Sequence, residues 1–138
     1  MELKSWKEKL LKGYIEAAKE ILEDGNHWMT YKLLAEITNK VPIEKLEGSD
    51  LYKEIKDLAT KATIQDYKNI SELAREALDG GNPDGAIKLL EGYVSKKTRS
   101  VYGNVLIEKM NVFDNETLQG LWEKLTDLKS EAASYKNT

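Results

Sequence analysis

The sequence predicts an all-α fold, an internally duplicated helical bundle or short repeat array. It divides into two related three-helix units, 1–64 and 65–138, packed as one compact domain. Three observations carry this expectation. Apolar residues recur at steps of three and four, the spacing of an amphipathic helix, and no stretch sustains the period-two alternation of a strand. Gly and Asn stand together where those stripes end, supplying a left-handed stop and a cap for the next helix. Finally, segments return. Glu-Ala-Ala-Lys-Glu-Ile-Leu-Glu-Asp-Gly-Asn at 16–26 is echoed at 72–82, 41–46 at 105–110, and 51–58 at 121–128.

The first helix is expected over 3–24, with Leu3, Trp6, Leu10, Tyr14, Ala18 and Leu22 on its apolar stripe, and Gly25 stops it. Asn26 caps a second helix that runs to about residue 40 with Tyr31, Leu33, Leu34 and Ile37 inward, and Pro42 ends it. Ser49 or Asp50 caps a third, with Leu51, Ile55, Leu58, Ala59 and Ala62 inward. The second unit repeats the plan. Ile70, Leu73, Ala74, Ala77 and Leu78 form the stripe, and Gly80-Gly81 terminates it. Asn82-Pro83-Asp84 then reads as N-cap, N1 proline and an acid at the positive end of the dipole. A final helix is capped by Asp114 or Asn115 and buries Leu118, Leu121, Trp122, Leu125 and Leu128, and the tail 132–138 is expected to fray. The offset between copies grows from 56 to 64 to 70, so the second copy carries extra residues within 96–104 and 111–116. Such loop insertions cost little stability and are where function concentrates.

Composition narrows the classes of function. Lys+Arg 21 against Asp+Glu 24 gives a net charge of −3, with no global attraction to nucleic acid or an anionic membrane. No apolar run is long enough to span a bilayer, and the N-terminal residues lack the apolar core of a signal peptide, so a cytoplasmic location is expected. The absence of cysteine excludes disulfides, thiolate catalysis and Cys-ligated metals.

The hairpin carrying Leu73, Ala74, Ala77, Gly81-Asn82, Ala86 and Leu90 resembles a tetratricopeptide-type helical hairpin, with small residues facing across a Gly-Asn turn. Tyr14, Ala18, Gly25-Asn26, Leu34 and Pro42 sit at similar spacing in the first copy. The resemblance implies a helical surface that grips a peptide or protein. Thr30 stands where the pattern has alanine, and a third helix per unit departs from it.

Candidate site residues are few. Trp28 and Phe113 fit the apolar stripes poorly and, with Tyr102, are candidate partner anchors, each alternatively a partly buried staple. Lys96, Lys97 and Arg99 beside Tyr102 could hold phosphates next to a stacking aromatic, or complement the carbonyls of a helix C-terminus. Glu20 with Glu23 and Glu54 with Asp57 place two acids on one face of each of two helices. Four converging carboxylates suit Mg²⁺, and the pattern is similar to the E-x-x-E…E-x-x-D of all-α nucleotide pyrophosphohydrolases, whereas solvated helix faces give the same spacing. His27, the one histidine, reads as a surface or cap-proximal residue. No catalytic constellation emerges and no cofactor is expected. The leading expectation is a non-enzymatic module that binds a protein partner or itself. The alternatives are a small nucleic-acid-associated subunit using 96–102 and, last, a Mg²⁺-dependent phosphohydrolase.

Overall fold

The computed structural model describes residues 5–136, the side chains of 5, 6, 43, 44 and 136 excepted, and every element in that range is helical. Seven α-helices follow in order: α1 (Ser5–Glu23), α2 (His27–Lys40), the single turn α3 (Ile43–Leu46), α4 (Asp50–Asp79), α5 (Pro83–Val94), α6 (Val101–Lys109) and α7 (Glu116–Lys136). A 3-10 turn at Val112–Asp114 precedes α7.

The turn chemistry sets the boundaries. Gly25 and Gly81 adopt positive φ, +85° and +79°, where a Cβ would be strained. Asn26 and Asn82 then cap α2 and α5 by accepting from the Met29 and Gly85 amides. Of the paired cap candidates, Ser49 accepts from Tyr52 N–H, and Asn115 accepts from Leu118 N–H.

The helices expected to close a first unit and to open a second are one helix. α4 runs 30 residues, about 45 Å, straight through the expected 64/65 boundary. No Gly or Pro lies between 50 and 79 to break it, and the stripe Leu51, Ile55, Leu58, Ala62, Ile70 and Ala74 continues without a change of phase. α4 is the axis of the molecule and touches every other element. α1 and α2 pack as a hairpin against it, α5 and α7 pack on it and on each other, and α6 lies across α2 and α4. The core extends along both halves of α4, from Leu11, Ile15 and Leu34 to Leu90, Leu106, Leu118 and Leu125.

Three packing expectations are corrected. Leu10 is exposed: Ala18 and Leu22 are buried as expected, but toward the start of α1 the buried positions are Leu11 and Ile15, each one residue and so about 100° around the helix from Leu10 and Tyr14. Leu73 faces solvent, because α5 and α7 cover the Ile70 and Ala74 side of α4. α7 persists to Lys136 where fraying was expected, with Ala132 fully buried and Arg75 of α4 donating to Glu131 at 2.6 Å. Leu3 and the Trp6 side chain lie outside the described residues.

A candidate docking groove braced by a buried carboxylate

Asp66 is 1% exposed in the middle of α4. It occupies the stripe position between Ala62 and Ile70, so helix geometry alone turns it inward. Its two oxygens collect hydroxyls from three other segments. Tyr93 Oη of α5 donates to Oδ1 at 2.8 Å. Tyr31 Oη of α2 donates to Oδ2 at 3.1 Å, and Thr98 Oγ1, in the loop before α6, donates to the same oxygen at 2.6 Å. Thr63 donates its own proton to Ala59 O and stands 3.3 Å from Tyr31 Oη as an acceptor. Three hydroxyl donors suit an ionised, acceptor-only carboxylate in a low-dielectric interior. Burial chiefly, and the neighbouring Asp66 charge next, push the Tyr31, Tyr67 and Tyr93 phenols well above their usual range, so all three keep their protons and Tyr31 and Tyr93 donate them.

His27 is buried, not at the surface. As the first residue of α2 it stands beneath the Asn26 cap with Nε2 3.3 Å from Asp66 Oδ1. That is ion-pair distance without hydrogen-bond alignment, and neither ring nitrogen makes a hydrogen bond within the chain. Its ring meets Tyr31 edge-on, at 6.2 Å between centroids.

The network fixes two surface segments relative to each other. Thr98 is held three ways. Its hydroxyl reaches Asp66, its N–H donates to Asn104 Oδ1 at 3.1 Å, and its carbonyl accepts from Asn104 Nδ2 at 2.8 Å. Ser100 then caps α6 through the Gly103 amide. Gly103 lets α6 settle on α2, since a Cβ there would lie 2.8 Å from the Thr98 methyl and 2.9 Å from the Tyr31 ring.

Above this braced layer lies a groove of about 500 Å³ between the N-termini of α2 and α6. Trp28 and Met29 line one side, Val101 and Tyr102 the other, with Asn26, Lys32, Arg99 and Ser100 completing the lining. Trp28 is 49% exposed, Tyr102 45% and Val101 75%, and Val105 continues the apolar strip one turn along α6. Among the described residues, five of the eight large exposed hydrophobic side chains therefore belong to this one region.

Of the expected anchors, Trp28 and Tyr102 share the groove and Phe113 does not. Phe113 is half-buried against Tyr67 at 6.1 Å, and the Lys97 ammonium sits 4.7 Å from its ring centre and 4.2 Å from that of Trp122. The basic stretch is divided. Lys97 lies over those two rings, Arg99 donates to Lys88 O at 2.7 Å beside the groove, and Lys96 is exposed. The acidic quartet does not assemble. Glu23, Glu54 and Asp57 line one surface depression without Glu20, interleaved with Lys19, which lies 3.7 Å from Glu54, and Lys61, which lies 3.0 Å from Asp57. Among the described residues no group of three or more His, Asp or Glu is placed to hold a metal ion.

Sequence reasoning missed Asp66 and Thr98. The available signal was an acid standing at an apolar-stripe position of α4, with inward tyrosines nearby whose hydroxyls would need partners. No protein family, curated protein or solved structure was found to match this chain.

Proposed function

We propose that this protein is a non-enzymatic interaction module whose α2–α6 groove docks a segment of a protein partner. The observation that carries the reading is the convergence of Trp28, Met29, Val101 and Tyr102 on one concave surface whose two walls are tied to the same buried carboxylate. Exposed aromatics on a rigid base are the residues that dominate binding energy, because little side-chain or loop entropy remains to be lost on association. Long exposed apolar residues gathered in one patch mark interaction sites, whereas scattered ones do not. The echo between 16–58 and 72–128 fits descent from a duplicated helical unit, with the groove built partly from 96–104, the stretch that has no counterpart in the first copy.

The test is affinity purification from an extract treated with nuclease, using the wild-type chain and a Trp28→Ala/Tyr102→Ala variant side by side. A protein retained by the first and lost by the second supports the reading. Identical recovery by both, or recovery of nothing by a monomeric wild-type protein, rejects it.

A further inference from the structure

We infer that the segment this groove accepts joins an apolar anchor to neighbouring carboxylate side chains. The inference rests on the groove being a docking surface and adds the chemistry of its occupant. The lining holds two cations, Lys32 and Arg99, and neither Asp nor Glu, although acids outnumber bases in the chain as a whole. Both flanking helices begin at the groove, and their caps, Asn26 and Ser100, line it, so the positive ends of two helix dipoles add to the same sign of potential. A carboxylate beside the apolar contact is thus favoured and a basic segment is repelled. A second copy meeting this face through a twofold axis would set Lys32 and Arg99 against themselves. A nucleic acid matches the charge but not the surface. Trp28 and Tyr102 offer two stacking faces, but Met29, Val101 and Val105 beside them are aliphatic surface that bases do not use, and Lys96 and Lys97 lie outside the lining.

The experiment is selection from a displayed library of short random peptides on the full chain, with the enriched sequences then synthesised and their affinities measured. The expected peptides carry Asp or Glu within a few residues of Leu, Ile, Phe or Trp. They bind Trp28→Ala/Tyr102→Ala about tenfold more weakly and the charge-reversed Lys32→Glu about threefold more weakly, with affinity falling as salt rises. Lys32 is exposed, so Lys32→Glu is expected to keep the wild-type fold, which circular dichroism checks. Enriched peptides that need Trp28 and Tyr102 but are neutral or basic, or are indifferent to Lys32→Glu, overturn the acidic occupant and leave the docking surface standing. Peptides that bind the double-alanine variant as well as wild type, or no enrichment at all, overturn the docking surface itself. Labelled oligouridylate or oligothymidylate that binds wild type and is released by Trp28→Ala/Tyr102→Ala overturns the peptide in favour of a single-stranded nucleic acid.

Discussion

Thr98 Oγ1 donates to Asp66 Oδ2 across 2.6 Å, and this bond joins the loop that begins α6 to the centre of the longest helix. With Tyr31 and Tyr93 on the same carboxylate, one side chain of α4 fixes α2, α5 and the approach to α6. Replacing Asp66 with alanine leaves the Tyr93 and Thr98 hydroxyls buried without their acceptor and Tyr31 with Thr63 Oγ1 alone, 3.3 Å away. Loss of a shared buried partner costs about 3–5 kcal/mol. Urea unfolding of Asp66→Ala is expected to show a loss in that range. A loss under about 1 kcal/mol would mean that the hydroxyls find other acceptors.

Three buried tyrosines lie close to this carboxylate, and two of them use their hydroxyls. Tyr93 donates to Asp66, whereas Tyr67 Oη is buried without a hydrogen-bond partner, its ring edge-on to Tyr93 at 5.9 Å. The two Tyr→Phe substitutions should therefore differ. Tyr93→Phe is expected to destabilise by about 1–3 kcal/mol, and Tyr67→Phe to be neutral or stabilising, because it removes a polar atom already separated from water. Equal effects in denaturant titrations would contradict the hydrogen-bond assignment.

The same phenols predict a limit at alkaline pH. Burial first and the Asp66 charge second raise Tyr31, Tyr67 and Tyr93, so they hold their protons in the folded chain after they have lost them in the unfolded one. The unfolded state then binds fewer protons, and stability falls as pH rises past about 10, while below that pH the contribution is fully present. Unfolding free energies measured from about pH 8 to about pH 11 should fall more steeply for wild type than for Tyr31→Phe/Tyr67→Phe/Tyr93→Phe. Parallel slopes would refute the assignment.

Helix periodicity and turn residues made most of the fold legible. Gly25-Asn26 and Gly81-Asn82 marked two hairpins because a left-handed stop and an N-cap have few chemical solutions. The continuity of α4 was obscured because an echo of the first stripe was read as a new element, although nothing between 50 and 79 ends a helix. Trp28 stood out by leaving the apolar stripes and Tyr102 by following the basic stretch 96–99, but their meeting in one groove depends on the packing of α6 against α2. That packing rests on long-range bonds to Asp66 and on Gly103, which local spacing does not encode. His27 and Trp28 are neighbours in the first turn of α2, yet His27 is buried and Trp28 half exposed, because one residue of helix rotation separates solvent from core.

Two glycines within helices should respond in opposite ways to alanine. At Gly103 a Cβ meets Thr98 and Tyr31 side chains at 3.0 Å or less, and both are pinned to Asp66. Gly103→Ala must push α6 away from α2, and it is expected to destabilise by about 1–3 kcal/mol. Gly120 lies exposed in α7 with nothing within 4 Å of its Cβ position, so Gly120→Ala should stabilise by about 0.5–1 kcal/mol through helix propensity alone. Thermal unfolding of the two variants separates these outcomes, and a tolerated Gly103→Ala would contradict the close approach of α6 to Tyr31.

The groove residues should separate stability from binding. Trp28 and Tyr102 are about half exposed, and neither belongs to the hydrophobic core cluster. Truncating surface side chains away from buried networks usually changes stability by no more than about 0.5 kcal/mol. Trp28→Ala and Tyr102→Ala are therefore expected to unfold within that margin of wild type while losing partner affinity. Thr98→Val, buried beneath the same groove, removes the hydroxyl that reaches Asp66, and it should lower stability by about 1–3 kcal/mol. It should also weaken binding indirectly, by loosening the α6 wall. Surface variants that destabilise as much as Thr98→Val would show that Trp28 and Tyr102 serve the fold.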